Sequence, residues 1–171
     1  MTKLLAIDPA LSTTGFIVMD MGLNFHETGK ITTLPKYDDI TRINCIVNQL
    51  MASATRNSVR YVVLEDGFVG NNRKTAIQLA TLRGAILGTA QYCGFKLDIL
   101  LPSVIRKELG IGGDADKEKV AMTLMEMFKD DKVFCNIGPF SDKNNKRKTS
   151  DIYDAAAIGV AFVKRKNRQE D

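Results

Sequence analysis

Four acids carry the chemistry this sequence offers: Asp8, Glu65, Asp151 and Asp154. Asp8 closes an apolar run, Leu4 to Ile7, and Pro9 follows at once. Proline has no N–H to give a ladder, so a strand stops there with its acid at the mouth of the sheet. Glu65 closes a second run, Tyr61 to Leu64, and Asp66 and Gly67 follow it. Asp151 and Asp154 are three apart, which on a helix puts both on one face. Singly, each has an ordinary structural reading as a strand terminator, a surface turn or a helix cap. Together, two strand ends and one helix start deliver acids that would converge if the helix crosses the sheet end. Buried charge is costly without a partner, and oxygen-only ligands favour Mg²⁺ or Mn²⁺. A pair of such ions about 3.5–4 Å apart stabilises the attacking and leaving oxygens in phosphodiester hydrolysis.

The elements that must position these acids follow from apolar periodicity. Leu4 to Ile7, Phe16 to Met19 and Phe25 to Thr33 read as three strands, with Ser12 to Gly15 and Gly22 to Asn24 as turns. Adjacent strands with short turns imply an antiparallel meander. Asp38 or Asp39 caps a helix whose Ile40, Ile43, Val47, Leu50 and Met51 recur at helical spacing, ending near Arg56 to Ser58. After the Tyr61 strand, a helix from Asn72 to Tyr92 is apolar around nearly its whole circumference. Such a helix is expected to be covered on both sides, by its own domain or by a second subunit. Phe95 to Leu101 gives a fifth strand, Pro102 to Leu109 a short helix, and Asp116 caps Lys117 to Phe128. Asp130 to Ser150 lacks periodicity and reads as a loop, and a last helix runs from Asp151 to about Lys166. The order βββαβαβ followed by helices predicts an α/β fold, a five-stranded mixed sheet flanked by helices, as in the ribonuclease H-like fold.

Composition narrows the class. With 171 residues, 44% of them hydrophobic, the chain fits one domain spanning 1–171. No apolar run nears the roughly 20 residues of a membrane span, and no signal-peptide pattern is visible. Cys45, Cys93 and Cys135 are odd in number and far apart, which suits a reducing cytoplasm. With a single histidine, His26, and no CxxC pair, zinc is disfavoured. Lys143 to Arg168 holds 8 Lys and Arg against two acids, while residues 1–128 are near neutral. A basic end beside a neutral body points to a polyanion partner, although a solvated tail has the same composition.

Four segments, IDPALSTTGF, LEDGFVGNNRKTAIQLATLRGAI, GIGGDADKEKV and SDIYDAAAIGVA, resemble the RuvC-type Holliday junction resolvases in order and spacing, particularly the smaller phage-encoded branch. The first segment alone also resembles sugar kinases and actin-like ATPases, which need two such domains and a nucleotide-binding glycine motif. The resemblance implies a homodimeric endonuclease of a bacterial cell or infected host. It would nick four-way and other branched DNA symmetrically with Mg²⁺, two ions per site and Mn²⁺ substituting, leaving 5′-phosphate and 3′-hydroxyl ends. On that resemblance Asp8, Glu65, Asp151 and Asp154 are the metal ligands, and Lys117, or Lys119, meets DNA near the scissile phosphate. Phe68 matches an aromatic near the junction centre, where stacking on an unpaired base is worth about 1–3 kcal/mol. Arg73, Lys74, Arg106, Lys107, Lys143, Lys146, Arg147 and Lys148 are further candidate DNA contacts. Ala10 stands where the family has glycine, Asp114 and Asp116 add acid near the expected DNA path, and the basic run before Asp151 is longer. The competing readings are another ribonuclease H-like nuclease or recombinase and a non-catalytic junction-binding protein. A branch-migration partner is not indicated.

Overall fold

The computed structural model describes residues 1–66, 72–112, 115–138 and 150–170. Three consecutive strands, β1 (Lys3–Asp8), β2 (Thr13–Asp20) and β3 (Phe25–Thr32), form the expected antiparallel meander. Helix α1 (Asp39–Arg56) crosses to β4 (Tyr61–Glu65), which runs parallel to β1, and α2 (Arg73–Tyr92) crosses to β5 (Lys96–Leu100), parallel to β4. The sheet order is β3-β2-β1-β4-β5, so the two acid-bearing strands, β1 and β4, are neighbours near its centre. Helices α3 (Pro102–Leu109), α4 (Lys117–Met127), α5 (Lys132–Cys135) and α6 (Ser150–Glu170) complete the described chain.

Both faces of the sheet are covered, which is why β1 and β4 read as unbroken apolar runs. Alternate side chains divide the core: Leu4, Ala6, Ile17 and Val63 pack with α6, α3 and α4, while Leu5, Ile7, Val18, Val62 and Leu64 pack with α1 and α2. The helix starts are chemically explicit. Asp38, rather than Asp39, caps α1 by accepting from Thr41 N–H, Asn72 caps α2, and Asp116 caps α4 through Lys119 N–H. Pro102 sits in the first turn of α3, and Gly110 ends that helix at φ 75°, a left-handed cap that glycine adopts without strain.

Two expectations require correction. The Ser12 to Gly15 turn is shorter than its composition implied, because Thr13 to Gly15 already belong to β2, with Gly15 opposite Asp8. Asp130 to Ser150 is not wholly loop: Asp131 accepts from Val133 and Phe134 N–H and caps α5, whose Phe134 is buried against Phe25 and Phe128. Residues 139–149 lie outside the described residues. Among the described residues, α2 is covered on one face, through Leu82, Ile86 and Ala90, which leaves the other face open to the second subunit the sequence allowed for. Ile77 on its outer side is 68% exposed, and a Cβ placed on Gly84 or Gly88 would meet nothing within 4 Å.

Candidate active site

The site is assembled at the end of the sheet where β1 and β4 stop together. Ile7 and Leu64 are register partners, so the next residues, Asp8 and Glu65, leave adjacent strands side by side. The helix bearing the other two acids is brought down by a missing side chain. A Cβ on Gly15 would lie 2.0 Å from the Asp151 carbonyl oxygen and 2.9 Å from Ile152 N, distances no real contact tolerates. The backbone of the first turn of α6 therefore rests directly on β2 beside Asp8. Farther along α6, Gly159 performs the complementary service, since a Cβ there would meet Ile17 and Met19 at 2.8 Å. Glycine inside a strand commonly marks such a close backbone approach.

Asp8, Glu65 and Asp154 line one cleft of about 120 Å³ together with Arg106, Lys117 and apolar walls that include Ile105, Val120 and Ile158. Asp151 does not line this cleft, but its charge acts on Asp8. Burial, then the charge of Asp154, and to a lesser degree Glu65 and Asp151, push the Asp8 pKa from 3.8 to about 7, against the relief Lys117 gives. Glu65 and Asp151 are raised for the same reasons, burial first and Asp154 second. The Lys117 ammonium donates to Asp154 in an ion pair. Partial burial would lower its pKa, but that bond and the fields of Asp154, Asp8 and Asp151 outweigh burial and raise it.

The remaining candidates distribute unevenly. Arg106 enters the cleft, whereas Lys107, next along α3, is exposed and does not line it. Lys119 is exposed on α4, and Arg73 and Lys74 are exposed in the first turn of α2. Phe68, Lys143, Lys146, Arg147 and Lys148, and the acid Asp114, lie outside the described residues. Several residues that frame the acids escaped the sequence reading. Gly15 was hidden by its turn-like neighbours. Lys30, opposite Gly15 on β3, acts on Asp151. Arg42 on α1 donates to the Leu11 carbonyl at 3.1 Å and to Thr33 Oγ1 at 2.8 Å, holding the turn after Asp8. Arg83 on α2 donates to the Glu65 carbonyl at 2.6 Å. For the two arginines the only available signal was an arginine on a helix otherwise packed on the sheet.

The donor set suits a hard divalent cation. Three carboxylates, Asp8, Glu65 and Asp154, share the cleft with two cations, Lys117 and Arg106, Asp151 adds its charge from outside it, and all the acidic donors are oxygens. The burden of like charge is concentrated on buried Asp8, where an added cation has most to offset. As the side chains stand, no three described acids already surround a single point that could hold an ion. Lys117 occupies Asp154, so loading would exchange that ammonium for the metal.

Residues 4–162 match the family model described as crossover junction endodeoxyribonuclease RuvC. A relative of that name from Wolbachia sp. subsp. Brugia malayi (strain TRS) is 25% identical over 140 residues, covering 80% of this chain and 86% of the relative. Another from Neorickettsia sennetsu (strain ATCC VR-367 / Miyayama) is 25% identical over 164 residues, 94% of this chain and 92% of its own length. Among solved structures, T. thermophilus RuvC in complex with Holliday junction substrate superposes with a TM-score of 0.78 at 18% identity, covering 98% of this chain and 96% of that one. The shared architecture is the ribonuclease H-like sheet and its helices. By the extent of the family match, the chain belongs to the RuvC family of crossover junction endodeoxyribonucleases.

Proposed function

We propose that this protein is a Mg²⁺-dependent endonuclease that resolves four-way DNA junctions by paired symmetric nicks. The single observation that carries the reading is the crowding of Asp8. Its carboxyl, packed at the sheet end with Glu65, Asp151 and Asp154 acting on it, gathers negative charge that a bound cation would offset. Those four acids would hold two ions per site, with Mn²⁺ able to substitute. Bound metal supplies Lewis-acid stabilisation of charge at the phosphate and eases deprotonation of water.

The chain's own residues do the rest. Lys117 and Arg106, which line the cleft with the acids, bind and orient the phosphate. The apolar wall formed by Ile105, Val120 and Ile158 limits water to the open side. Arginine and lysine read phosphates and DNA shape more than base edges, which fits a structure-selective enzyme. The products are nicks with 5′-phosphate and 3′-hydroxyl ends. Two matched nicks on a two-fold junction call for two active sites related by the same symmetry. The outer face of α2, where Ile77, Gly84 and Gly88 are uncovered, is the proposed homodimer contact. Among the described residues, no helix is long and apolar enough to cross a membrane.

Cleavage of fixed and mobile synthetic four-way junctions under metal titration tests the proposal. Symmetric, ligatable nicks that require divalent metal are expected. Intact junctions with cleaved RNA–DNA hybrids would point instead to another ribonuclease H-like activity. Binding without cleavage at any metal concentration would point to a junction-binding protein.

A further inference from the structure

Arg83 projects from the middle of α2, yet its side chain is only 14% exposed. One nitrogen, Nη2, donates both to the backbone carbonyl of Glu65, at 2.6 Å, and to Asp66 Oδ1, at 3.0 Å. The position of this contact matters. The β1–β4 register ends at the Ile7–Leu64 pair, so the Glu65 carbonyl lies one residue past the last β1 partner. On the other side of the strand, Asp66 N–H is already held by the Leu100 carbonyl at 2.7 Å. The end of β4 is thus gripped from β5 and from α2. A buried carbonyl without a donor is costly, and a charged donor makes the stronger hydrogen bond.

We infer that Arg83 is a positioning residue of the nuclease site: by clamping the Glu65 carbonyl and Asp66 it fixes the backbone from which the Glu65 carboxylate reaches the cleft. Arg83 does not line that cleft, so it acts through Glu65, whose backbone it holds. The inference rests on the proposed role of Glu65 as a metal ligand. A strand end released from one of its two restraints lets Glu65 wander by a fraction of an ångström to an ångström, and a misplacement of that size costs on the order of 10²-fold in rate. The clamp also belongs to the same helix whose outer face is the proposed dimer contact, so the restraint on Glu65 comes from the element that a second subunit would steady.

The test compares Arg83→Met, which keeps bulk but removes the donors, with Arg83→Lys, which can still reach a carbonyl and an acid, and with Glu65→Gln. Three quantities are read for each: Mn²⁺ binding to the DNA-free protein by calorimetry, junction affinity in Ca²⁺, and the single-turnover cleavage rate against Mg²⁺ concentration. Expected for R83M are at least fivefold weaker Mn²⁺ binding, cleavage about 10²-fold slower, and junction affinity within twofold of wild type. R83K is expected to recover most of both losses. If E65Q loses metal binding and cleavage while R83M matches wild type in both, the clamp is wrong and the site stands. If E65Q itself binds Mn²⁺ and cuts normally, the site reading fails and takes the clamp with it. Should R83M not fold, Asp66→Asn, which removes only the surface anchor of the guanidinium, is expected to show a smaller loss of the same kind. Normal metal binding and cleavage in D66N and R83K alike, beside an unfolded R83M, would make Arg83 a stability residue and overturn the inference.

Discussion

Removing the Asp8 charge should stabilise the metal-free protein while abolishing its activity. The Asp8 carboxyl has a pKa of about 7 in the folded chain against 3.8 in the unfolded one. A carboxyl raised in this way contributes stability that is complete below the unfolded value and is lost as pH rises through the folded value. Each pKa unit corresponds to about 1.36 kcal/mol, so full ionisation costs the fold about 4 kcal/mol, and the leg between about pH 5.5 and pH 8 accounts for about 2 of these. Asp8→Asn removes that cost while nearly keeping the volume. Urea unfolding in EDTA should therefore show the variant gaining about 1–2 kcal/mol on wild type between about pH 5.5 and pH 8. Saturating Mg²⁺ should reverse the order, because only wild type gains from an ion bound to the folded state. An Asp8→Asn curve parallel to wild type at both pH values would refute the reasoning, since the crowding of Asp8 would then not exist in solution.

Three further outcomes follow from the same geometry. Gly15→Ala, whose Cβ would lie 2.0 Å from the Asp151 carbonyl, should cost about 1–3 kcal/mol of stability and slow cleavage by on the order of 10²-fold, read by denaturation and single-turnover kinetics. A wild-type rate would mean that the start of α6 need not rest on β2. Lys117→Met leaves Asp154 without its ammonium and the phosphate without a cation; cleavage at saturating junction should fall by about 10²-fold, with Mn²⁺ binding to the free protein retained. Loss of Mn²⁺ binding instead would make Lys117 a support of the acids and remove it from phosphate contact. Neutralising Lys146, Arg147 and Lys148 together should weaken junction binding and flatten its dependence on salt by about three counterions' worth of slope. An unchanged slope would place the run away from DNA.

Much of this architecture was legible because the local chemistry is strong. Asp38, Asn72, Asp116 and Pro102 mark helix starts by supplying or sparing donors, and β1 and β4 announce their burial as unbroken apolar runs. Asp8 and Glu65 stood out for the same reason, since each closes an apolar run, whereas Asp151 and Asp154 stood out by their spacing at the start of a helix. What was not legible depends on partners distant in sequence. Thr13 to Gly15 look like a turn until β1 offers them a ladder, and Gly15 gains its meaning only when α6 settles on it. The apolar girth of α2 signalled a need for cover without saying from where; this chain covers Leu82, Ile86 and Ala90 and leaves Ile77 exposed. A four-residue helix such as α5 is too short to show a period, and only the Asp131 cap betrays it. Arg106 and Lys107 were equal candidates for DNA contact in the sequence, and only the fold separates them, Arg106 lining the cleft and Lys107 lying exposed outside it, a difference of one helical step that motif register alone does not resolve.

The central claim, that the acids around Asp8 form the metal site of a junction resolvase, is met most directly by one measurement. Wild type and Asp8→Asn are incubated with a mobile four-way junction, and strand cleavage and binding are followed together across a Mg²⁺ titration. Paired symmetric nicks that ligase can seal, dependent on Mg²⁺ in wild type and slower by at least about 10³-fold in Asp8→Asn at equal junction affinity, are predicted. Normal cleavage by Asp8→Asn, or metal-independent cleavage by wild type, would contradict it.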